Sequence, residues 1–198
     1  MSPRPLSRRD VLKTLGQGAV AGCVVRAIPL EAAERARAFL DAQESSGHPY
    51  RPKFFSPRAY KTLESLCQAI IPAEGSAGGA IEAGAPEFVD LLASENHDFQ
   101  LLLGGGILWL DARCGDLFGH GYLDCSESER KQVLDSIAFR KNGESDVALS
   151  QGVAFFTLLR NLTCDAFFTS KIGIEYLGYV GNTFLAEFPG CPDPETFR

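Results

Sequence analysis

Three histidines and six cysteines are the residues of this chain with the most evident chemistry, and their spacing speaks first about what is missing. His48, His97 and His120 stand far apart, never at i, i+4 and never beside a Cys-x-x-Cys pair. A metal site needs converging ligands and a haem attachment needs Cys-x-x-Cys-His, and neither pattern is written here. His120, in Phe118-Gly119-His120-Gly121-Tyr122, reads as a loop histidine rather than a ligand. There is no Gly-x-Ser-x-Gly elbow, no Walker loop and no dinucleotide fingerprint behind a strand. Carboxylates abound, but an acidic surface accounts for any pair of them. The spacing names no catalytic, cofactor-binding or metal-binding residue.

The cysteines say more about place. Apart from Cys23 they are Cys67, Cys114, Cys125, Cys164 and Cys191, an odd number. Cys114 and Cys125 flank an excursion between two expected helices and are placed to close a loop. A disulfide there would contribute about 2–3 kcal/mol by restricting the unfolded chain. A second pair from Cys67, Cys164 and Cys191 leaves one thiol over, and simple buried thiols are the alternative for all of them.

The compartment is read from the N-terminus. Ser7-Arg8-Arg9-Asp10-Val11-Leu12-Lys13, followed by a weakly apolar, glycine-bearing run from Thr14 to Val25, is similar to a twin-arginine export signal, with Arg8 and Arg9 as the paired arginines. Such a signal carries folded proteins into an oxidising periplasm or envelope, where disulfides persist. The apolar run is short for a membrane-spanning helix. Gly16-Gln17-Gly18-Ala19-Val20-Ala21-Gly22 follows no expected strand and is not taken as a nucleotide loop. Val20-Ala21-Gly22-Cys23 fits the box that precedes a lipidated cysteine, so a lipid anchor at Cys23 stands beside cleavage and retention as a fate of the signal. From Leu30 onward 14 Lys and Arg face 24 Asp and Glu, a net charge of −10. That balance argues against nucleic acid and anionic lipid surfaces as partners.

The remaining elements read as helices. Residues 1–29 are the signal, 30–53 a short helix with a linker, and 54–198 a single helical domain. Ser56-Pro57 starts a helix with Tyr60, Leu63, Leu66, Cys67, Ile70 and Ile71 on one face, and Pro72 stops it. Residues 73–85 are too rich in glycine for a helix. Pro86 opens the next helix, and a third runs from about Asn96 toward Phe118 with Gly104-Gly105-Gly106 inside it, each costing up to ~1 kcal/mol against alanine. In-phase apolar residues on both sides of the glycines imply close packing of another backbone rather than a break. Ser126-Glu127-Ser128-Glu129 is a capping box that starts a fourth helix, residues 141–149 form a loop, and Ser150 opens a fifth helix to Phe167 or Phe168. The expected class is all-α, an irregular bundle of about five helices with long loops and an irregular C-terminal segment.

That last segment is the most unusual. Residues 167–192 hold six aromatics and four glycines but three charges, and after Ser170 they follow no period for long. A stretch so apolar is either core or the face another protein covers. Phe168, Tyr176, Tyr179 and Phe184 are the residue types that anchor an interface, and part of the stretch, with the 73–85 loop nearby, is expected to face a partner. The competing expectation is a lid folded on its own bundle.

Leu66-Cys67-Gln68-Ala69-Ile70-Ile71-Pro72, Gly79 to Asp90, Phe167 to Gly173, Leu177-Gly178-Tyr179-Val180-Gly181-Asn182 and Gly190-Cys191-Pro192 together resemble the gluconate 2-dehydrogenase subunit 3 family, across residues 55–192. The resemblance implies a non-catalytic small subunit of a flavoprotein complex acting on sugars or glycosides, nearest to the small subunits of glucoside 3-dehydrogenases. The implied large subunit, of the glucose–methanol–choline type, holds FAD and substrate and passes electrons to a cytochrome c or another acceptor. The small subunit holds no cofactor, supplies the export signal and supports maturation of its partner. An independent envelope binding or assembly protein, anchored through Cys23, is the alternative.

Overall fold

The computed structural model describes residues 30–46, 49–74, 78–179 and 181. Eight helices build the described chain: α1 (Leu30–Ser46), α2 (Pro57–Ile70), α3 (Ala85–Glu95), α4 (Gly105–Phe118), α5 (Glu127–Ile137), α6 (Arg140–Ser145), α7 (Ser150–Phe168) and α8 (Lys171–Tyr176). Among the described residues there is no β-strand, in keeping with the all-α expectation.

The starts follow local chemistry. Ser56 Oγ accepts from Ala59 N at 3.3 Å, with Pro57 in the first turn of α2. Ser126 and Glu129 form the expected reciprocal box at α5: Ser126 N donates to Glu129 Oε2 at 2.7 Å and Glu129 N to Ser126 Oγ at 3.4 Å. Gly84 reaches α3 in the left-handed region, φ 70°, which a β-carbon would resist.

The core is organised by α3 and α7. Helix α3 is buried almost all round, through Phe88, Val89, Leu91, Leu92 and Ala93, and α7 packs against α2, α3, α4, α5, α6 and α8. The expected inner face of α2 turns inward, with Leu63, Leu66 and Cys67 fully buried.

The glycine run is where α4 and α7 interlock. A short turn, His97–Phe99, continues through a π-helical stretch, Gln100–Gly104, into α4 without a break. A β-carbon on Gly106 would lie 2.1 Å from Phe155 Cγ, and one on Gly152 would lie 2.4 Å from Trp109. Each helix thus gives up a side chain so that the other can insert an aromatic ring.

Two expectations need correction. Residues 141–149, expected as a loop, contain α6 and a 3-10 turn, Val147–Leu149. Asn142 and Gly143 look like breakers in sequence. Folded, Asn142 Nδ2 donates to the Ser136 carbonyl at 2.9 Å, and Gly143 lets the backbone come close to Val153. The stretch after Ser170, expected as irregular, first winds into α8, because Ser170 Oγ caps it by accepting from Gly173 N at 3.0 Å.

Helix α1 and the strap after it lie on the same core. Ala36 is buried, and Tyr50 stacks on Tyr60 with ring centroids 6.0 Å apart. Asp90, wholly buried in α3, takes the strap in hand: it accepts from Tyr50 Oη at 2.6 Å, Lys53 N at 2.6 Å, Phe54 N at 3.1 Å and Phe55 N at 2.9 Å. Among the described residues, no helix is long and apolar enough to cross a membrane.

Candidate partner interface

The turn from α7 into α8 sets the aromatic stretch at one end of the bundle. Phe167, Ser170 and Gly173 point inward and fix it: Ser170 Oγ donates to the Phe167 carbonyl at 2.7 Å, and a β-carbon on Gly173 would meet that carbonyl oxygen at 2.0 Å. Only glycine permits so close a return of the chain. Fixing the inner residues turns the next ones outward. Phe168 is 43% exposed, Tyr176 58% and Tyr179 55%, and Ile174 and Leu177 are exposed beside them. Tyr176 keeps one edge on Phe167, centroids 6.0 Å apart, and Phe167 in turn meets Phe168 edge-on at 5.2 Å. The result is an aromatic lip with a packed root.

The glycine-rich loop adjoins this lip as expected. A β-carbon on Gly78 would lie 3.2 Å from Ile172 Cδ1, and Ile81 is exposed on the same side. Between loop, α8 and α1 opens a cleft of about 290 Å³ whose lining includes Arg37, Tyr50, Glu82, Glu87 and Ile172.

Arg37 ties the cleft together. From α1 it donates to the Ala83 carbonyl at 3.3 Å, to Thr169 Oγ1 at 3.2 Å and to the Ala166 carbonyl in the last turn of α7, and it lies 5.2 Å over the Phe88 ring. A cation suits that place, where carbonyls at a helix end lack partners. Burial lowers its pKa, with Asp41 opposing. Deeper in, Glu87 faces Tyr60. Burial raises the pKa of both, and neither Glu87 Oε2 nor Tyr60 Oη has a hydrogen-bond partner of good geometry among the described residues. Burial, then the bond to Asp90, raises Tyr50 as well. These polar groups were not nominated from sequence, since each acts through partners distant in the chain; the one visible signal was Asp90, a charge inside the apolar run Phe88-Val89-Asp90-Leu91-Leu92.

A second concavity, of about 860 Å³ and mostly apolar, runs along the outer side of α7, where Phe88, Phe99, Leu102, Val153, Ala154 and Leu158 line it. No feature of the sequence pointed to it.

Cys114 and Cys125 are buried side by side as free thiols at the corner between α4 and α5. Burial, reinforced by the neighbouring Cys125 thiol, pushes the Cys114 thiol up to about 12. His120 lies in the same corner, its Nδ1 3.5 Å from Cys125 Sγ and its Nε2 3.8 Å from Glu129 Oε1. Cys67 is apart, buried against Thr163 Oγ1 at 3.5 Å, and Cys164 is half-buried. Arg8, Arg9, Cys23, Phe184 and Cys191 lie outside the described residues.

An all-helical body with a rooted aromatic lip turned to solvent has the make-up of a subunit that binds another protein. The chain belongs to the family Gluconate 2-dehydrogenase subunit 3, which it matches over residues 57–190. Membership makes it an accessory subunit of a dehydrogenase complex and implies a catalytic partner subunit. No curated protein and no solved structure matches it.

Proposed function

We propose that this chain is the small, non-catalytic subunit of an exported FAD-dependent sugar or glycoside dehydrogenase, and that it docks on its flavoprotein through the α8 lip. The observation that carries the docking is the exposure of Phe168, Ile174, Tyr176, Leu177 and Tyr179 in one short segment of an otherwise acidic chain. Aromatics of this kind anchor interfaces, and the surrounding acidic surface serves as a solvated rim. The large subunit, of the glucose–methanol–choline type, holds FAD and substrate and hands electrons to a cytochrome c or another acceptor. This chain supplies the signal bearing Arg8 and Arg9, by which both subunits reach the periplasm already folded, and supports assembly of the catalytic subunit.

Native isolation tests the reading. A yellow, FAD-bearing polypeptide is expected to copurify with this chain from the periplasmic fraction. Arg8→Lys with Arg9→Lys should leave both chains in the cytoplasm. A partner that still reaches the periplasm in that variant, or a chain that is isolated from the periplasm with no flavoprotein, contradicts the proposal.

A further inference from the structure

We propose that Cys125, His120 and Glu129 form a zinc-type metal site at the corner between α4 and α5, with the fourth position open to water. Cys125, His120 and Glu129 each present one donor atom, all within 4.8 Å of one another. A zinc ion bound at about 2.0–2.3 Å from nitrogen, oxygen and sulfur ligands in a tetrahedron holds those ligands about 3.3–3.8 Å apart. Cys125 Sγ and His120 Nδ1, 3.5 Å apart, already have that spacing.

The corner is set by the backbone before any metal enters. Helix α4 ends on Gly119 in the left-handed region, φ 84°. Tyr122 N donates to Asp111 Oδ1 at 2.9 Å, which folds the following turn back on α4. The capping box then fixes Glu129 in the first turn of α5 through its Oε2, leaving Oε1 on the side of His120. Three donors from residues 120–129 therefore converge although their spacing matches no familiar motif, which is why the sequence alone names no metal ligand.

Donor chemistry selects the ion. A thiolate with an imidazole and a carboxylate suits zinc, whereas magnesium and calcium take oxygen ligands. The Cys125 sulfur is buried while His120 and Glu129 are half-exposed, so the ion has a side from which to enter. One thiolate and one carboxylate balance the charge of a dication. Binding converts the Cys125 thiol to a thiolate and releases one proton to solvent. That sulfur cannot serve a metal and a Cys114–Cys125 disulfide at once, so the site would also keep it from oxidation.

The test uses the full-length chain, reduced, stripped with chelator and then titrated with Zn(II) or Co(II). One zinc per chain, release of one proton, and a cobalt spectrum with tetrahedral bands and thiolate-to-cobalt charge transfer are expected. Cys125→Ser should abolish the charge transfer. His120→Asn and Glu129→Gln should weaken zinc binding by at least ~10-fold, the range seen when groups supporting a metal are removed. Glutamine keeps the capping box, so Glu129→Gln should fold even if Cys125→Ser does not. Cys164→Ser, outside the corner, should bind zinc as the parent does. The proposal is overturned if the reduced chain takes up no zinc, if bound cobalt shows no thiolate charge transfer, or if Cys164→Ser lowers affinity as much as Cys125→Ser.

Discussion

Adjacent glycines in one helix should respond in opposite directions to the same substitution. In Gly106→Ala the new methyl would lie 2.1 Å from Phe155 Cγ and Cδ2 and 2.6 Å from Phe155 Cβ. Those atoms are the base of a ring that is 1% exposed and cannot swing clear without moving α7. Overpacking a tight core costs about 1–3 kcal/mol, and a clash with the root of a side chain belongs at the upper end. Alanine returns up to ~1 kcal/mol of helix propensity, so the net loss should be about 2 kcal/mol. For a chain of this size that lowers the melting temperature by roughly 4–8 °C. In Gly105→Ala the methyl meets only Gln151 Nε2 at 3.6 Å, an ordinary contact. This variant should gain about 0.4–1 kcal/mol. Urea denaturation followed by helical circular dichroism measures both. Equal destabilisation of the two variants, or a stabilised Gly106→Ala, would refute the interlocking of α4 with α7.

Asp90→Asn should release the strap: asparagine turns an amide donor toward donors that now meet a carboxylate, and loss of two charge-assisted bonds costs about 3–6 kcal/mol. Faster tryptic cleavage after Lys53, with a lowered melting temperature, is the readout, and unchanged protection would count against it. Glu87→Gln should stabilise in a pH-dependent way. Burial raises the Glu87 pKa, so the native state favours its protonated form. The group costs nothing well below the ordinary carboxylate pKa of about 4.3, and its cost grows as pH rises through the higher native value. The variant should therefore melt higher than the parent at pH 8 and level with it near pH 3; a difference independent of pH would exclude Glu87 as its source.

Elements coded by neighbouring residues were legible in the sequence. Ser56-Pro57 and the Ser126-Glu129 box work through bonds of three or four residues' reach, and both helices start where those residues stand. Residues 79–90, quoted for the family resemblance, carry separate physical duties. Gly79 lets the chain pass 2.6 Å from Ala73 N where a β-carbon would sit, Gly84 takes a positive φ, and Asp90 holds the strap. Only the first two are visible as glycines. Asp90 shows only as a charge inside an apolar run, and Arg37 and the His120 corner depend on partners brought up by folding that nothing in their spacing announces. Helices α6 and α8 were missed because tertiary packing and a single cap outweigh glycines at 143 and 173.

The central claim is that the α8 lip binds the catalytic subunit, and replacing Tyr176 and Tyr179 by alanine tests it most directly. Both side chains are more than half exposed, so the double variant should keep its helical circular dichroism and its melting temperature. Interface anchors of this type contribute about 2 kcal/mol or more each, so affinity for the proposed flavoprotein partner should fall on the order of a thousandfold and copurification should be lost. A double variant that holds its flavoprotein with undiminished affinity, or that loses its own cooperative melting, would contradict the account.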